Sequence, residues 1–344
     1  MNTGQAEQKI FIHHNGALGD VLLSLPALEI IREHAGIIHL SGRPDVVHFL
    51  KAVGHVDEAS DSGSMLLSLF YTEKMDDRAR TFLSGFTRAF VFTKGEDALL
   101  AAQVRSIIPD TQTVITIPPA GARTHIAEFR AQQLSGGSVS PVTFKIPLPY
   151  KEKARRLLLE AGYREGERPL VVLHPGSGGR RKCWPAEHYL RLVERLGEAH
   201  DLFFVILSGP AEDEGLITVL RSFSEHRTNI VHYRNEDLAV VAALLRMSTV
   251  YIGNDSGITH LAGMVSKNVV ALFGPTDPVL WKPYRKDIAI VHPDCECAPC
   301  EPRGSDGDTA RSFPECGLFC LRGISVEKVY TATAEMICTD YSGT

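Results

Sequence analysis

LVVLHPGSGGRRKCWP, residues 170–185, is where the pattern of this 344-residue chain begins a second time. A run of apolar residues, 170–173, reads as a strand. A Gly/Ser loop and a basic run follow, and Trp184-Pro185 opens a helix candidate over 186–199. The same order stands at the start of the chain, where KIFIHH (9–14) leads through NGALG into a helix candidate over 20–34. Further strand candidates are GIIHL (36–40), AFVFT (89–93), TVITI (113–117), LFFVILS (202–208), NIVHY (229–233), TVYIG (249–253) and NVVALFG (268–274). Helix candidates at 97–107, 123–134, 211–223, 237–246 and 257–266 alternate with them. Fully apolar strands alternating with amphipathic helices describe parallel sheets covered on both faces.

The fold class expected is therefore α/β, with two doubly wound Rossmann-like domains facing a central cleft. The first set ends near SGGSVSPVTFKIPLPY (135–150), and a helix (151–163) with the charged turn REGERP completes it. The boundaries expected are 1–165, 166–323 with a Cys-rich loop at 294–320, and a final helix and tail over 324–344.

Composition narrows the function. With 44% hydrophobic and 22% charged residues and a net charge of −5, the chain has an ordinary globular balance. Nucleic-acid binders are more often basic, so no nucleic-acid partner is expected. The start, MNTGQAEQK, has neither the basic nor the apolar region of a signal peptide. No apolar run approaches the roughly 18 residues of a membrane span, so a cytoplasmic location is expected. Five of the seven cysteines, Cys295, Cys297, Cys300, Cys316 and Cys320, cluster in one segment. In a reducing compartment such a cluster means free thiols or a metal before disulfides. C-x-C-x2-C followed by C-x3-C could hold zinc, but the spacing is not that of a standard ribbon, and free thiols are the favoured reading. Asp306-Gly307-Asp308 spells D-x-D in the same loop with no strand before it, which reads as a chance match.

Ligands of doubly wound sheets bind beyond the carboxyl ends of the strands, so the turns carry the function. The first turn, His14-Asn15-Gly16-Ala17-Leu18-Gly19, lacks the first glycine of a dinucleotide fingerprint. The second strand candidate ends in His39-Leu40-Ser41, with no acid to hold a ribose. Both features count against a nicotinamide enzyme. Asp20 then has two readings: an acid favoured by the dipole of a first helical turn, or a general base that takes a proton from an incoming hydroxyl. In 170–185 the amides of 176–179, the Ser177 hydroxyl and Lys182 make a diphosphate cradle, against the plainer reading of a solvated charge cluster. In TVYIGNDSGITHLAG (249–263), Asp255 or Ser256 can cap a helix that carries His260, and Gly257 lets a ligand approach its amides. Glu212, in LSGPAEDEG (207–215), stands where a nucleoside hydroxyl could be held, and Thr276 and Asp277 follow the strand candidate 268–274.

GALGDVLLSLPAL, LHPGSGGRRKCWP, SGPAEDE, GNDSGITHLAG and FGPTDP, in this order, resemble glycosyltransferase family 9, the ADP-heptose:lipopolysaccharide heptosyltransferases. The resemblance is strong in the second domain and the first turn, and loose between residues 40 and 165. It implies a GT-B architecture and an inverting, metal-independent transfer of a heptose from ADP-heptose to a sugar of the lipopolysaccharide inner core. By motif, Asp20 resembles the catalytic base, and Ser177 and Lys182 the diphosphate contacts. Glu212 resembles the nucleoside contact. Asp255, Ser256, Gly257 and His260 resemble the loop around the donor's diphosphate and sugar. His14, Gly16 and Gly19 fall on the acceptor side, where many relatives carry Arg or Lys in place of His14. No cofactor is required, since the nucleotide-sugar is a substrate. The expected partners are that donor and a lipopolysaccharide core acceptor, with transient contact at the inner-membrane surface. The alternatives are a relative using another nucleotide-sugar or glycan acceptor, and a non-catalytic nucleotide- or glycan-binding module.

Overall fold

A computed structural model describes residues 8–65, 77–95, 99–135, 137, 139–225, 227–295, 298–300 and 319–341. The chain divides into two compact units, Met1–Pro147 and Leu148–Thr344. The first is built on five parallel strands: β1 (Lys9–His14), β2 (Ile37–Gly42), β3 (Glu58–Asp61), β4 (Arg88–Thr93) and β5 (Thr111–Ile115). Their order is β3-β2-β1-β4-β5. The second has six: β6 (Leu170–His174), β7 (Phe203–Ser208), β8 (Ile230–Arg234), β9 (Val250–Asn254), β10 (Val269–Leu272) and β11 (Ala289–Val291), in the order β11-β10-β9-β6-β7-β8. Both sheets start in the middle, run outward one way, and return to the other side of the first strand. That leaves a topological switch point beside β1, against β4, and beside β6, against β9. In doubly wound sheets this is where ligands bind. The loops after β1 and β4 in the first unit, and after β6 and β9 in the second, are therefore the ones the topology singles out.

The central strands are apolar because both faces are covered. β6 and β7 are buried along their whole length. In the first unit Phe11, Leu83, Val91, Leu100 and Val104 share one core. In the second, Val171, Leu192, Phe204, Ile252 and Leu272 share another. No helix among the described residues is long and apolar enough to cross a membrane.

Four features differ from the expectations. The edge strands β3, with sequence EASD, and β11, with sequence AIV, were not expected; each is too short to show an apolar pattern. The helix expected over 20–34 is two helices, Leu18–Leu22 and Leu25–Arg32, with Pro26 in the first turn of the second. Proline tolerates that position because its missing N–H would have no partner there. The helix Leu148–Glu160 lies in the second unit, so the division falls ahead of the expected boundary at 165. Its residues are held there by Tyr233, whose hydroxyl donates to the Leu157 carbonyl at 2.7 Å, and by a 2.9 Å ion pair between Lys153 and Glu236. The final helix, Val326–Tyr341, is part of the second unit rather than an appendage. Its Val329 and Ile337 join the core, and the Trp184 indole donates to the Ile324 carbonyl at 2.9 Å.

Candidate active site

Asp20 lies in the short helix after β1, and its side chain is 40% exposed. Beneath it sits Arg130, from the helix Ile126–Ser135, fully buried. Arg130 Nη2 stands 3.4 Å from Asp20 Oδ1, and Nη1 donates to the Asp20 carbonyl and, at 2.9 Å, to Ser24 Oγ. Nε and Nη2 donate to the Thr116 carbonyl at 3.0 and 2.9 Å. A buried guanidinium is tolerated only when its donors are met, and this one is met largely by the turn that carries Asp20. Burial lowers its pKa to about 10, with Asp20 pulling the other way, which leaves it cationic at neutral pH.

His14 completes the turn. Its Nδ1 accepts from the Gly16 N–H at 3.2 Å, so the proton of the neutral ring is on Nε2, 2.9 Å from Ser24 Oγ. The Ser24 hydroxyl donates in turn to the Asp20 carbonyl at 3.1 Å. The imidazole stacks on Phe92 with centroids 4.8 Å apart. Burial, then Arg130 and His13, hold its pKa well below the usual range. Gly16 is needed for close approach: a Cβ there would sit 2.7 Å from Asp20 Cβ and from His14 Cε1. Gly19 is half-buried beside Asp20.

In the second unit the loops after β6 and β9 are tied to each other. Asn254, fully buried at the end of β9, accepts from the Trp184 N–H at 2.9 Å and the Tyr189 hydroxyl at 3.0 Å. Its amide donates to the Pro175 and Gly176 carbonyls at 2.7 and 3.2 Å. The Ser177 hydroxyl donates to the Asp255 carbonyl at 2.8 Å. Lys182 Nζ pairs with Asp255 Oδ2 at 2.7 Å, the lysine side chain 41% exposed and the aspartate buried. His260 Nε2 lies 3.8 Å from Asp255 Oδ1. Ser256, not Asp255, caps the helix Gly257–Val265, accepting from the Thr259 N–H at 3.3 Å. Gly257 is half-buried at its first turn. A partly exposed ammonium beside the N-terminus of a nine-residue helix is suited to an anion.

The structure thus brings Ser177, Lys182, Asp255, Ser256, Gly257 and His260 together at one switch point, and His14, Gly16, Gly19 and Asp20 together at the other. Two placements correct the expectations. His14 does not point its ring outward to meet a ligand: it is 2% exposed, with both ring nitrogens engaged inside the turn. Glu212 does not present its carboxylate outward for a nucleoside; its side chain is 3% exposed. Oε2 accepts from the Gly209 N–H, Oε1 faces His174 at 3.6 Å, and the carboxylate occupies the space above Gly176. Asp277 caps the short helix Pro278–Trp281 through the Val279 N–H at 2.8 Å. Cys297, Cys316 and Asp306-Gly307-Asp308 lie outside the described residues. Cys320 is buried in the second core and Cys295 packs against it. Among the described residues no group of three or more His, Cys, Asp or Glu is placed to hold a metal.

Arg130 and Asn254 are residues built into these turns that motif reading missed. Asn254 stands inside the GNDSG motif. Arg130 had a signal in its spacing: it shares the buried stripe of its helix with Ile126, Ala127 and Ala131, where a charged residue needs a reason.

Residues 140–309 match the profile of glycosyltransferase family 9 (heptosyltransferase). Lipooligosaccharide heptosyltransferase 2 of Campylobacter jejuni is 24% identical over 328 residues, which cover 93% of this chain and 96% of that protein. A glycosyltransferase family 9 structure from Veillonella parvula superposes with a TM-score of 0.73 at 20% identity, covering 98% of this chain and all of that one (100%). The structure of Escherichia coli ADP-heptose lipopolysaccharide heptosyltransferase II gives 0.72 at 17% identity, over 97% of this chain and 100% of that one. These likenesses establish the GT-B class of fold, two Rossmann-like units.

Proposed function

The chain belongs to glycosyltransferase family 9, and from that premise we propose that it transfers a heptose from ADP-heptose, with inversion, to a sugar of the lipopolysaccharide inner core. The observation that carries the reading is the contrast between the two switch points. One presents an exposed carboxylate fixed by a buried guanidinium. The other presents a lysine and a helix N-terminus.

In this reading the donor lies on the second unit. Asp20 accepts the proton of the acceptor hydroxyl as its oxygen attacks the anomeric carbon. The bond from that carbon to the β-phosphate oxygen breaks, and ADP leaves with the electron pair. The transferred sugar passes through an oxocarbenium-like state, as in glycoside hydrolysis. Lys182 and the amides that open the helix Gly257–Val265 stabilise the charge that grows on the diphosphate. These groups supply the electrostatics of the step without a metal, so chelation is expected to leave the rate unchanged. Asp255 holds Lys182 in place until the diphosphate competes for it. The acceptor is lipid-anchored, and the enzyme meets it at the cytoplasmic surface of the inner membrane.

The test is transfer to a heptose-deficient lipopolysaccharide acceptor with ADP-heptose, UDP-sugars and GDP-sugars offered separately. Product with ADP-heptose alone is expected. Product with another nucleotide-sugar would redefine the donor, and binding of ADP without turnover on any acceptor would favour a non-catalytic module.

A further inference from the structure

His174 ends β6, the first strand of the second sheet, and is 5% exposed. Its two ring nitrogens face the two loops that flank it. Nε2 lies 3.6 Å from Glu212 Oε1, in the loop after β7, and Nδ1 lies 3.3 Å from Ser256 Oγ, in the loop after β9. Each neighbour is itself anchored. Glu212 accepts from the Gly209 N–H. Ser256 accepts from the Thr259 N–H, and the Thr259 hydroxyl donates to the Asn254 carbonyl and meets the Tyr251 hydroxyl at 2.9 Å. The whole series is buried. Burial lowers the pKa of His174, with Glu212 opposing. A neutral ring between a carboxylate and a hydroxyl carries its proton on the nitrogen that faces the carboxylate, Nε2. That leaves Nδ1 to accept from Ser256.

We propose that His174 is a positioning residue for the donor, bracing the N-terminus of the helix Gly257–Val265, which receives the diphosphate, against Glu212 in the loop after β7. The proposal rests on the donor reading above. His174 touches no reacting atom, and its effect passes through Glu212 on one side and Ser256 on the other. The two contacts are separable by substitution. An asparagine amide reaches the place of Nδ1 and keeps the Ser256 contact. A glutamine amide reaches the place of Nε2 and keeps the Glu212 contact.

The experiment is calorimetric titration of ADP into the full chain, with donor kinetics alongside. Absence of ADP binding by the wild type would overturn the donor reading itself. With wild-type binding present, His174→Asn and His174→Gln are each expected to weaken ADP about tenfold and to raise the donor KM by the same factor. Acceptor KM is expected to stay unchanged and kcat to stay within about threefold. Glu212→Gln is expected to add no further loss to His174→Asn, which has already broken that link, and a further loss to His174→Gln. If one variant melts below the assay temperature, the other and its Glu212→Gln pair decide the matter. Unchanged ADP affinity in the folded variants would overturn the proposal. So would losses from Glu212→Gln that add equally in both backgrounds, or a fall confined to kcat.

Discussion

Arg130 Nη2 stands 3.4 Å from Asp20 Oδ1 across a sequence separation of 110 residues. The pair is asymmetric: the guanidinium is fully buried and the carboxylate is half-exposed. The buried partner is fixed by Ser24 and Thr116, and the exposed partner is left to meet a solute. In the proposed mechanism the arginine aims the base.

Substituting Arg130→Lys is expected to lower kcat about 10- to 100-fold, because one ammonium cannot reproduce a planar fork and a small misplacement of the base is costly. Stability should fall by about 2 kcal/mol as the Thr116 carbonyl and Ser24 lose donors. ADP affinity should not move. Steady-state kinetics with a urea melt check this, and a wild-type kcat would remove Arg130 from the mechanism.

Lys182 carries the diphosphate in this account, exchanging Asp255 for the ligand. Lys182→Ala is expected to weaken ADP about 10- to 100-fold, the range for a charged hydrogen bond to phosphate. Calorimetry reads it directly, and unchanged affinity would contradict the cradle.

Glu212 fills the space a side chain at Gly176 would need, since a Cβ there would lie 1.7 Å from Glu212 Oε1. Gly176→Ala should therefore displace the carboxylate, lower stability by about 1–3 kcal/mol and weaken ADP. A thermal melt of the variant that overlays the wild type would show that Glu212 moves without consequence.

Acid should destabilise the first unit. The folded-state pKa of His13 is lowered by burial from 6.5 to about 4, and that of His14 is lowered well below 6.5. Below the unfolded value the unfolded chain binds more protons. The stability is thus fully present above about pH 6.5 and is lost as pH falls toward 4, at about 1.4 kcal/mol per pH unit for each histidine. Urea melts at pH 7.5, 6 and 5 measure the slope. His14→Gln should flatten it, and an unchanged slope would contradict the buried-neutral assignment.

Much of this was legible in the sequence, for identifiable reasons. β1, β6 and β9 are central strands covered on both faces, so Phe11, Val172 and Ile252 sit in unbroken apolar runs that end in glycine-bearing turns. Those turns place Asp20, Lys182 and Asp255 at the carboxyl ends of strands. The edge strand β3 escaped because EASD carries no apolar run, and β11 because AIV is only three residues long. The direction of a side chain was harder to read. His14 turned inward because Ser24 and Gly16 claim both of its nitrogens. Glu212 turned inward because Gly176 leaves it room and Gly209 offers an N–H. Arg130 meets Asp20 through a contact that no local motif encodes.

The central claim is that Asp20 is the base. It is tested most directly by the transfer rate of Asp20→Asn, which keeps the size of the side chain and removes its basicity. The account predicts a fall in kcat of about 100- to 10,000-fold, with ADP affinity at the wild-type value and the protein still folded at the assay temperature. An Asp20→Asn enzyme that transfers at the wild-type rate would contradict it.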